Sequence, residues 1–178
     1  MQKFTLRQAG AANRRFAVLL VLAAGLGGCG FQLAGSGSLP PVMARTFVET
    51  SEPNSDFLGS LREALRMRGL EIVAEPDDAG ARLIISEDST GQRVLSVSAR
   101  NIPREYEIFY TVTFSLAADG AALIEPVSLV ARRSYTFDET QVLAKDREER
   151  ILRRALADDL ARQVVRRIEA AGTATPIG

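Results

Sequence analysis

The sequence has no histidine and no tryptophan, and it has a single cysteine, Cys29, among its 178 residues. Without histidine, Ser-His-Asp catalysis, Cys-His catalysis and histidine-ligated zinc are all excluded within this chain. One cysteine makes neither an intramolecular disulfide nor a thiolate metal cage. No metal or cofactor is indicated, and the function classes that remain are binding, scaffolding and carboxylate chemistry.

Charge is unevenly distributed along the chain, although 22 basic and 22 acidic residues give a formal net charge of zero. Residues 1–28 carry four basic side chains and no acid, so the acids outnumber the basic residues by four in the remainder. That remainder has no long basic run, and nucleic-acid binding, which needs clustered positive charge, is not expected. The remainder is long enough for one domain with one hydrophobic core, since a chain of this size buries about 68–70% of its unfolded surface on folding.

Residues 1–28 have the pattern of a secretory signal peptide. Basic residues precede an apolar run from Phe16 to Leu26, which is shorter than the roughly 20 residues that a transmembrane helix needs. The segment closes with Leu26-Gly27-Gly28-Cys29, which resembles the lipobox of bacterial lipoproteins. Cleavage and acylation would then make Cys29 the first mature residue, and the alternative is a free cysteine behind an ordinary signal peptide. Acyl chains contribute about 0.8 kcal/mol per buried methylene, so several chains hold a protein at a membrane.

The chain from Cys29 onward divides into a tether, one domain and a tail. Residue 30 is Gly rather than Asp, which in the sorting of enterobacterial lipoproteins implies the outer membrane, on its periplasmic side. Residues 29–44 mix Gly, Ser and paired Pro without an apolar period, and they are predicted to be the acylated cysteine and a flexible tether. Residues 45–171 are predicted to form a single α+β domain, and residues 172–178 a disordered tail.

Hydrophobic periodicity predicts the elements of that domain. Helices are predicted at 56–68 and 146–171, the second with Asp146 as its cap. A turn is predicted at Asp88-Ser89-Thr90-Gly91, and Glu71-Ile72-Val73 is interpreted as the end of the turn after the first helix. The order of elements predicts an α+β fold with two helices packed on one face of a four-stranded, mostly antiparallel sheet, a two-layer sandwich. Five segments have the pattern of a strand, although the predicted sheet has four strands: 45–50, 81–86, 93–99, 106–116 and 127–137.

Short motifs in a fixed order resemble a known family. They are the lipobox followed by Gly30-Phe31-Gln32-Leu33, then Leu39-Pro40, Arg68-Gly69-Leu70-Glu71, Glu105-Tyr106, Arg133-Ser134-Tyr135 and Leu143-Ala144-Lys145-Asp146. From Cys29 to about Ala171 the chain resembles the LptE (RlpB) family of lipopolysaccharide-assembly lipoproteins, with Gln32 in place of the family's usual His. The resemblance implies a non-enzymatic outer-membrane lipoprotein that forms a complex with the LptD β-barrel. It would plug that barrel, assist its assembly and bind lipopolysaccharide during insertion into the outer leaflet.

Lipopolysaccharide offers phosphates, sugar hydroxyls and acyl chains, so a surface that binds it is expected to present cations free to pair with phosphate. Arg100 and Arg104 lie in the predicted connection before the 106–116 strand, and Lys145, the single lysine after Cys29, lies in the predicted loop before the last helix. The resemblance places Arg100 at a basic strand-end position and Lys145 in the matching Leu-Ala-Lys-Asp segment. These three are the candidate lipopolysaccharide-binding residues, and the alternative for each is a solvated loop charge.

Other residues and functions have open interpretations. Arg132 and Arg133 are interpreted as sheet-surface charges, and the arginines of the last helix as a solvent-facing surface. Phe109, an aromatic residue on the polar face of its strand, is either a partner contact or an ordinary exposed aromatic. One rival function is a generic periplasmic lipoprotein adaptor of another transport or barrel-assembly machine. The other is an enzyme such as a two-carboxylate glycosidase, for which no acid lies in a recognisable context.

Overall fold

The computed structural model describes residues 39–136 and 142–174, with side chains over 39–136 and 147–172. The predicted signal peptide, Cys29 and most of the tether lie outside these residues. Short 3₁₀ helices at Pro41–Ala44 and Pro76–Asp78 precede the first and third strands. The main elements are β1 (Arg45–Thr50), α1 (Asp56–Arg66), β2 (Glu71–Val73), β3 (Ala81–Val97), β4 (Pro103–Ala118), β5 (Ala121–Thr136) and α2 (Val142–Ala174).

The five strands form one mixed sheet in the order β2-β1-β3-β4-β5. β1 pairs in parallel with both β2 and β3, whereas the β3–β4 and β4–β5 pairs are antiparallel. The α+β class with two helices is therefore confirmed, but the prediction of four mostly antiparallel strands is wrong. The fifth strand is β2, which pairs with β1 over three residues. Because α1 connects β1 to β2, the chain returns to the same sheet edge and enters the sheet in the parallel sense.

The turn predicted at Asp88-Ser89-Thr90-Gly91 is also wrong, because β3 runs without a break from Ala81 to Val97. These residues pair with β4, and the register shifts once near them, between Ile85 and Glu87. The carboxylate of Asp88 accepts hydrogen bonds from the hydroxyl groups of Tyr110, at 2.7 Å, and Ser55. Turn-type side chains are accommodated in a strand here because distant residues satisfy their polar groups.

Helix α1 begins and ends as its sequence predicts, to within two residues. The Ser55 hydroxyl accepts a hydrogen bond from the Leu58 backbone N–H at 3.0 Å, which caps the first turn. Gly69 follows the helix with a φ of +82°, in the left-handed region that glycine adopts without strain. One face of the helix is buried, and its buried residues are Phe57, Leu58, Leu61, Ala64 and Leu65.

The core lies between the two helices and one face of the sheet. The strand predicted at 106–116 lies within β4, and its apolar and polar residues alternate, since every second residue from Ile108 to Leu116 is at most 4% exposed. Burial of each such side chain contributes about 1.5–3 kcal/mol. The α2 residues in the same core are Leu156, Ala157, Leu160, Ala161, Val164, Val165 and Ile168. Both helices therefore cover the same face, and the odd-numbered residues of β4 lie on the other.

A buried polar junction joins the start of α1 to β3 and β4. The Tyr110 hydroxyl donates to the Asp88 carboxylate at 2.7 Å, and the Ser55 hydroxyl donates to the same carboxylate. Burial, followed by the hydrogen bond to Asp88, raises the pKa of Tyr110 above its ordinary value of 10.0. The tyrosine therefore stays neutral in the folded protein at pH values where an unfolded tyrosine ionises.

Replacement of Tyr110 by Phe is expected to cost about 1–3 kcal/mol of unfolding free energy, because the Asp88 carboxylate loses a hydrogen-bond donor. Alkaline stability should change as well. The raised folded pKa makes the stabilisation from Tyr110 complete below about pH 10, and it is lost as pH rises above that value. Urea unfolding at intervals from pH 8 to 11.5 measures both effects. Wild type should lose more stability than Tyr110→Phe across the alkaline range, and identical slopes would contradict the assignment.

Candidate functional site

The turn between β3 and β4 is the centre of the candidate site. Residues 94–104 are here called the hairpin tip. They contain a tight turn in which the Ser98 N–H donates to the Ile102 carbonyl at 2.7 Å. The Asn101 N–H donates to the Ser98 carbonyl at 2.9 Å, and Asn101 has a φ of +59°. Asn is one of the few residues that adopts this left-handed conformation readily. The turn holds Arg100 at the outermost point of the long β3–β4 hairpin.

Two exposed arginines of the hairpin tip have no competing partner within the described part of the chain. Arg100 lies in the turn, while Arg104 is the second residue of β4 rather than part of the connection, which corrects the prediction. Neither forms an ion pair or a hydrogen bond with residues 39–136 or 147–172. Beside them, Val94, Leu95 and Val97 are 46%, 47% and 51% exposed. The hairpin tip therefore presents unpaired cations together with apolar surface.

Lys145 lies inside α2, because the helix begins at Val142 and not at the predicted Asp146. Leu143, Ala144 and Lys145 are good helix formers, so the helix extends upstream of the expected cap. β5 ends beside the hairpin tip, since Thr136 pairs with Glu105. Thr136 and Val142 are six positions apart in the chain, so they lie at most about 20 Å from each other. The backbone thus places the start of α2 and the hairpin tip at one end of the sandwich.

Other arginines near this end are held by an acid. Glu107, 7% exposed, accepts hydrogen bonds from Arg93, the shortest at 2.7 Å, and lies 4.0 Å from the Nε of Arg132. The interpretation of Arg132 as a sheet charge agrees with this contact. Because Glu107 neutralises part of their charge, Arg93 and Arg132 are less available to an anion than Arg100 and Arg104.

Phe109 lies on the face of the sheet that α1 and α2 do not cover, opposite Gly91 of β3. Gly91 and Phe109 are cross-strand partners, and a Cβ atom at Gly91 would lie 2.3 Å from the Phe109 Cζ. An aromatic ring that covers a strand glycine stabilises the sheet locally. The position of this aromatic residue therefore has a structural explanation, which depends on a strand register that sequence alone does not reveal.

Replacement of Gly91 by Ala is expected to cost about 1–3 kcal/mol, because the ring of Phe109 must move away from the added methyl group. The matched control is Gly59→Ala in α1, where a Cβ meets nothing within 4 Å. That change should instead stabilise the protein by about 0.5–1 kcal/mol, since Ala favours helix. Urea unfolding of both variants tests the contact. Effects of the same sign at the two glycines would contradict it.

The described residues show neither a membrane-spanning helix nor a metal centre. No helix within residues 39–136 and 142–174 is long and apolar enough to cross a bilayer. The same residues contain no group of three or more His, Cys, Asp or Glu that is suited to hold a metal ion. The geometry of the hairpin tip fits the binding of an anionic amphiphile, in which cations contact the anion and exposed side chains contact the apolar part.

Comparisons with known proteins agree on one family. The family model LptE, described as lipopolysaccharide-assembly, matches residues 43–168. The LPS-assembly lipoprotein LptE of Yersinia enterocolitica is 29% identical over 143 residues, which are 79% of this chain and 68% of that protein. The protein of the same name from Pectobacterium atrosepticum is 28% identical over 159 residues, 88% of this chain and 85% of that one.

Solved structures of lipoproteins share the fold. The rare lipoprotein B from Shewanella oneidensis superposes with a TM-score of 0.64 at 26% identity, over 72% of this chain and 96% of that one. The solution structure of lipoprotein B from Nitrosomonas europaea gives a TM-score of 0.68 at 26% identity, over 82% and 94% of the two chains. The resemblance seen in the sequence motifs is confirmed, and so is the prediction of a non-enzymatic protein. The chain belongs to the LptE family of lipopolysaccharide-assembly lipoproteins.

Proposed function

We propose that this protein is an outer-membrane lipoprotein that forms a complex with the LptD β-barrel. In this proposal residues 1–28 are removed and Cys29 is acylated. The tether is shorter than the predicted residues 29–44, because Met43 is buried in the core, and the free tail begins after α2 rather than at residue 172. The domain of residues 45–171 plugs the barrel, assists its assembly and binds lipopolysaccharide on its way into the outer leaflet. The family match over residues 43–168 and the lipobox at Cys29 support this role.

The hairpin tip is the observation that carries the lipopolysaccharide-binding part of the proposal. Arg100 and Arg104 are free to pair with phosphate without first leaving an acid, and the exposed Val94, Leu95 and Val97 offer contact to acyl chains. A single exposed ion pair contributes only about 0–1 kcal/mol. Binding therefore needs several cations together, and Lys145 at the same end of the sandwich is the third in this proposal.

The uncovered face of the sheet supports a position inside a barrel. β4 and β5 have 16 residues each, so they are about 50 Å long, which exceeds the roughly 30 Å thickness of a bilayer's hydrocarbon core. Barrel interiors are polar. The uncovered face of β4 is largely polar, and its polar residues are Glu105, Glu107, Thr111, Thr113 and Ser115.

Co-purification tests the partner. The tagged, lipidated protein is extracted from membranes in mild detergent, and the proteins that remain bound are identified by mass spectrometry. We expect one large barrel of the LptD type in stoichiometric amount. Recovery of a different barrel-assembly or transport machine in its place would favour the rival role as a generic lipoprotein adaptor.

Charge reversal tests the lipopolysaccharide contact. The double variant Arg100→Asp and Lys145→Asp should bind purified lipopolysaccharide at least about tenfold more weakly, because repulsion replaces pairing with phosphate. The control is Arg166→Asp with Arg167→Asp, two exposed arginines at the other end of α2. Dissociation constants are measured at one fixed salt concentration, with circular dichroism to verify the fold. An unchanged constant for the first variant would remove these residues from the site.

A further inference from the structure

Helix α2 begins before α1 does, and the part of α2 that lies beyond α1 has an arginine-rich surface. The two helices run in the same direction, since Ser60 donates to Asp158 at 2.5 Å and Arg68 pairs with Glu169 at 2.7 Å. Asp56, the first residue of α1, is four residues before Ser60 and thus lies near the level of Arg154. The part of α2 from Val142 to about Arg153 therefore has no α1 beside it.

The side of α2 that faces α1 changes character at this level. Alongside α1 it consists of buried small and apolar residues, among them Ala157, Ala161 and Val165. Steps of three and four residues keep to one side of a helix. Continued toward the start of α2, those steps lead from Ala157 to Arg153 and Arg154, then to Arg150 with Glu149 and Ile151 beside it, and then to Arg147. An apolar stripe thus becomes a mostly cationic one at the level where α1 begins.

These four arginines line an open cleft of about 770 Å³, together with Ile151 and Asp56. Asp56 is the one acid among these six lining residues. Arg153 pairs with Glu149, yet its Nε is buried and has no hydrogen-bond partner. The other three arginines form no ion pair or hydrogen bond with the described residues. The cleft therefore combines a positive charge excess with unused guanidinium donors.

Electrostatics favours an anion in this cleft. Arg150 and Arg154 are four residues apart, and Arg147 and Arg150 three, so they are neighbours of like charge that destabilise an isolated helix by a few tenths of a kcal/mol per pair. A bound anion removes this repulsion. The planar guanidinium group suits phosphate in particular, because it donates two parallel hydrogen bonds. Ile151, 59% exposed, adds apolar contact within the cleft.

We propose that the arginine cleft binds phosphate groups of a lipid headgroup, separately from the hairpin tip. The inference rests on the proposed function, because lipopolysaccharide is the phosphorylated lipid that the protein would meet. The cleft volume lies within the range of about 300–1,000 Å³ that small-molecule sites occupy. Arg147 lies one helical turn or less from Lys145, so the cleft extends the cationic end of the sandwich along α2.

Binding measurements on the mature lipidated protein in detergent test the inference. The variant Arg150→Gln with Arg154→Gln removes two cleft charges and keeps good helix formers. The control Arg166→Gln with Arg167→Gln removes two charges from the same helix, away from the cleft. The probes are lipopolysaccharide, the same lipopolysaccharide after enzymatic removal of its phosphates, and inorganic pyrophosphate.

We expect the cleft variant to lose at least about tenfold in affinity for intact lipopolysaccharide, while the control stays within about twofold of wild type. The cleft variant should match wild type on the dephosphorylated lipid. A parallel loss for pyrophosphate identifies phosphate itself as the recognised group, and a loss confined to lipopolysaccharide identifies the whole headgroup. Equal affinities of the cleft variant and wild type for intact lipopolysaccharide would overturn the inference.

The same measurements separate this inference from the proposed function. If wild type binds lipopolysaccharide and the cleft variant binds it equally well, the cleft is not a site and the function stands. If wild type binds pyrophosphate through the cleft but does not bind lipopolysaccharide, the cleft binds phosphate and the proposed lipopolysaccharide role fails. Binding of neither probe by wild type overturns both.

Discussion

The Cys29→Ser protein is expected to disappear from the outer membrane and to keep its full 178-residue length. Serine has no thiol, so no thioether-linked lipid forms, and the processing that depends on it does not follow. The loss should be complete, because several acyl chains together supply the free energy that holds the protein at the bilayer. Density-gradient separation of the two membranes and intact-mass measurement record both results.

Gly30→Asp is the matched control for that experiment. It keeps the thiol and therefore the lipid, so the mature mass should show acylation as in wild type. Under the enterobacterial sorting rule, Asp at this position should shift the protein to the inner membrane. Processed, acyl-free Cys29→Ser protein in the outer membrane would contradict the proposed anchor, whereas an unmoved Gly30→Asp protein would contradict only the sorting rule.

The Phe114→Ala protein is expected to lose about 3–5 kcal/mol of unfolding free energy, which is a large part of the total of about 5–15 kcal/mol for a typical domain. Phe114 is completely buried between the sheet and the helices. The same substitution at Phe109, on the same strand but on the uncovered face, should cost less than half as much. Urea unfolding with similar m-values for both variants measures the difference. Equal losses would mean that the assignment of the two faces is wrong.

The parts of the fold that depend on local pattern are the parts that the sequence predicts. Alternation in β4 requires only that every second residue be apolar, so the buried face from Ile108 to Leu116 is readable from the chain. The cap at Ser55 and the left-handed Gly69 are equally local, because each depends on backbone atoms within a few residues. Such features need no knowledge of which strands are neighbours.

The features that the sequence does not reveal depend on distant partners. Asp88 looks like a turn residue until Tyr110 and Ser55 are placed beside it. β2 forms a strand because it pairs with β1. Its three residues are too few for a hydrophobic pattern to predict a strand. Local propensity is decided by these long-range contacts, which explains both errors in the predicted sheet.

The candidate site follows the same division. The residue types at Arg100 and Arg104 are visible in the sequence, but which arginines are paired is not, and Glu107 explains why Arg93 is held while Arg100 is free. The sequence predicts only part of the arginine cleft. The helical period that identifies the apolar stripe of α2 leads directly to Arg154 and Arg150, and the missing information was where α1 begins beside it.

The position of β5 at the border of the sheet has a consequence for a protein concentrated on a membrane. Within the described residues no other strand pairs with the outer side of β5, and a border strand can pair with the same strand of another molecule, which is the route to fibrillar aggregation. Pro126 lies in an irregular stretch between Ile124 and Val127, where it supplies no N–H for such pairing. The exposed Arg132 and Arg133 add like-charge repulsion between approaching copies. Crowded neighbours are thereby kept from polymerising through their strands.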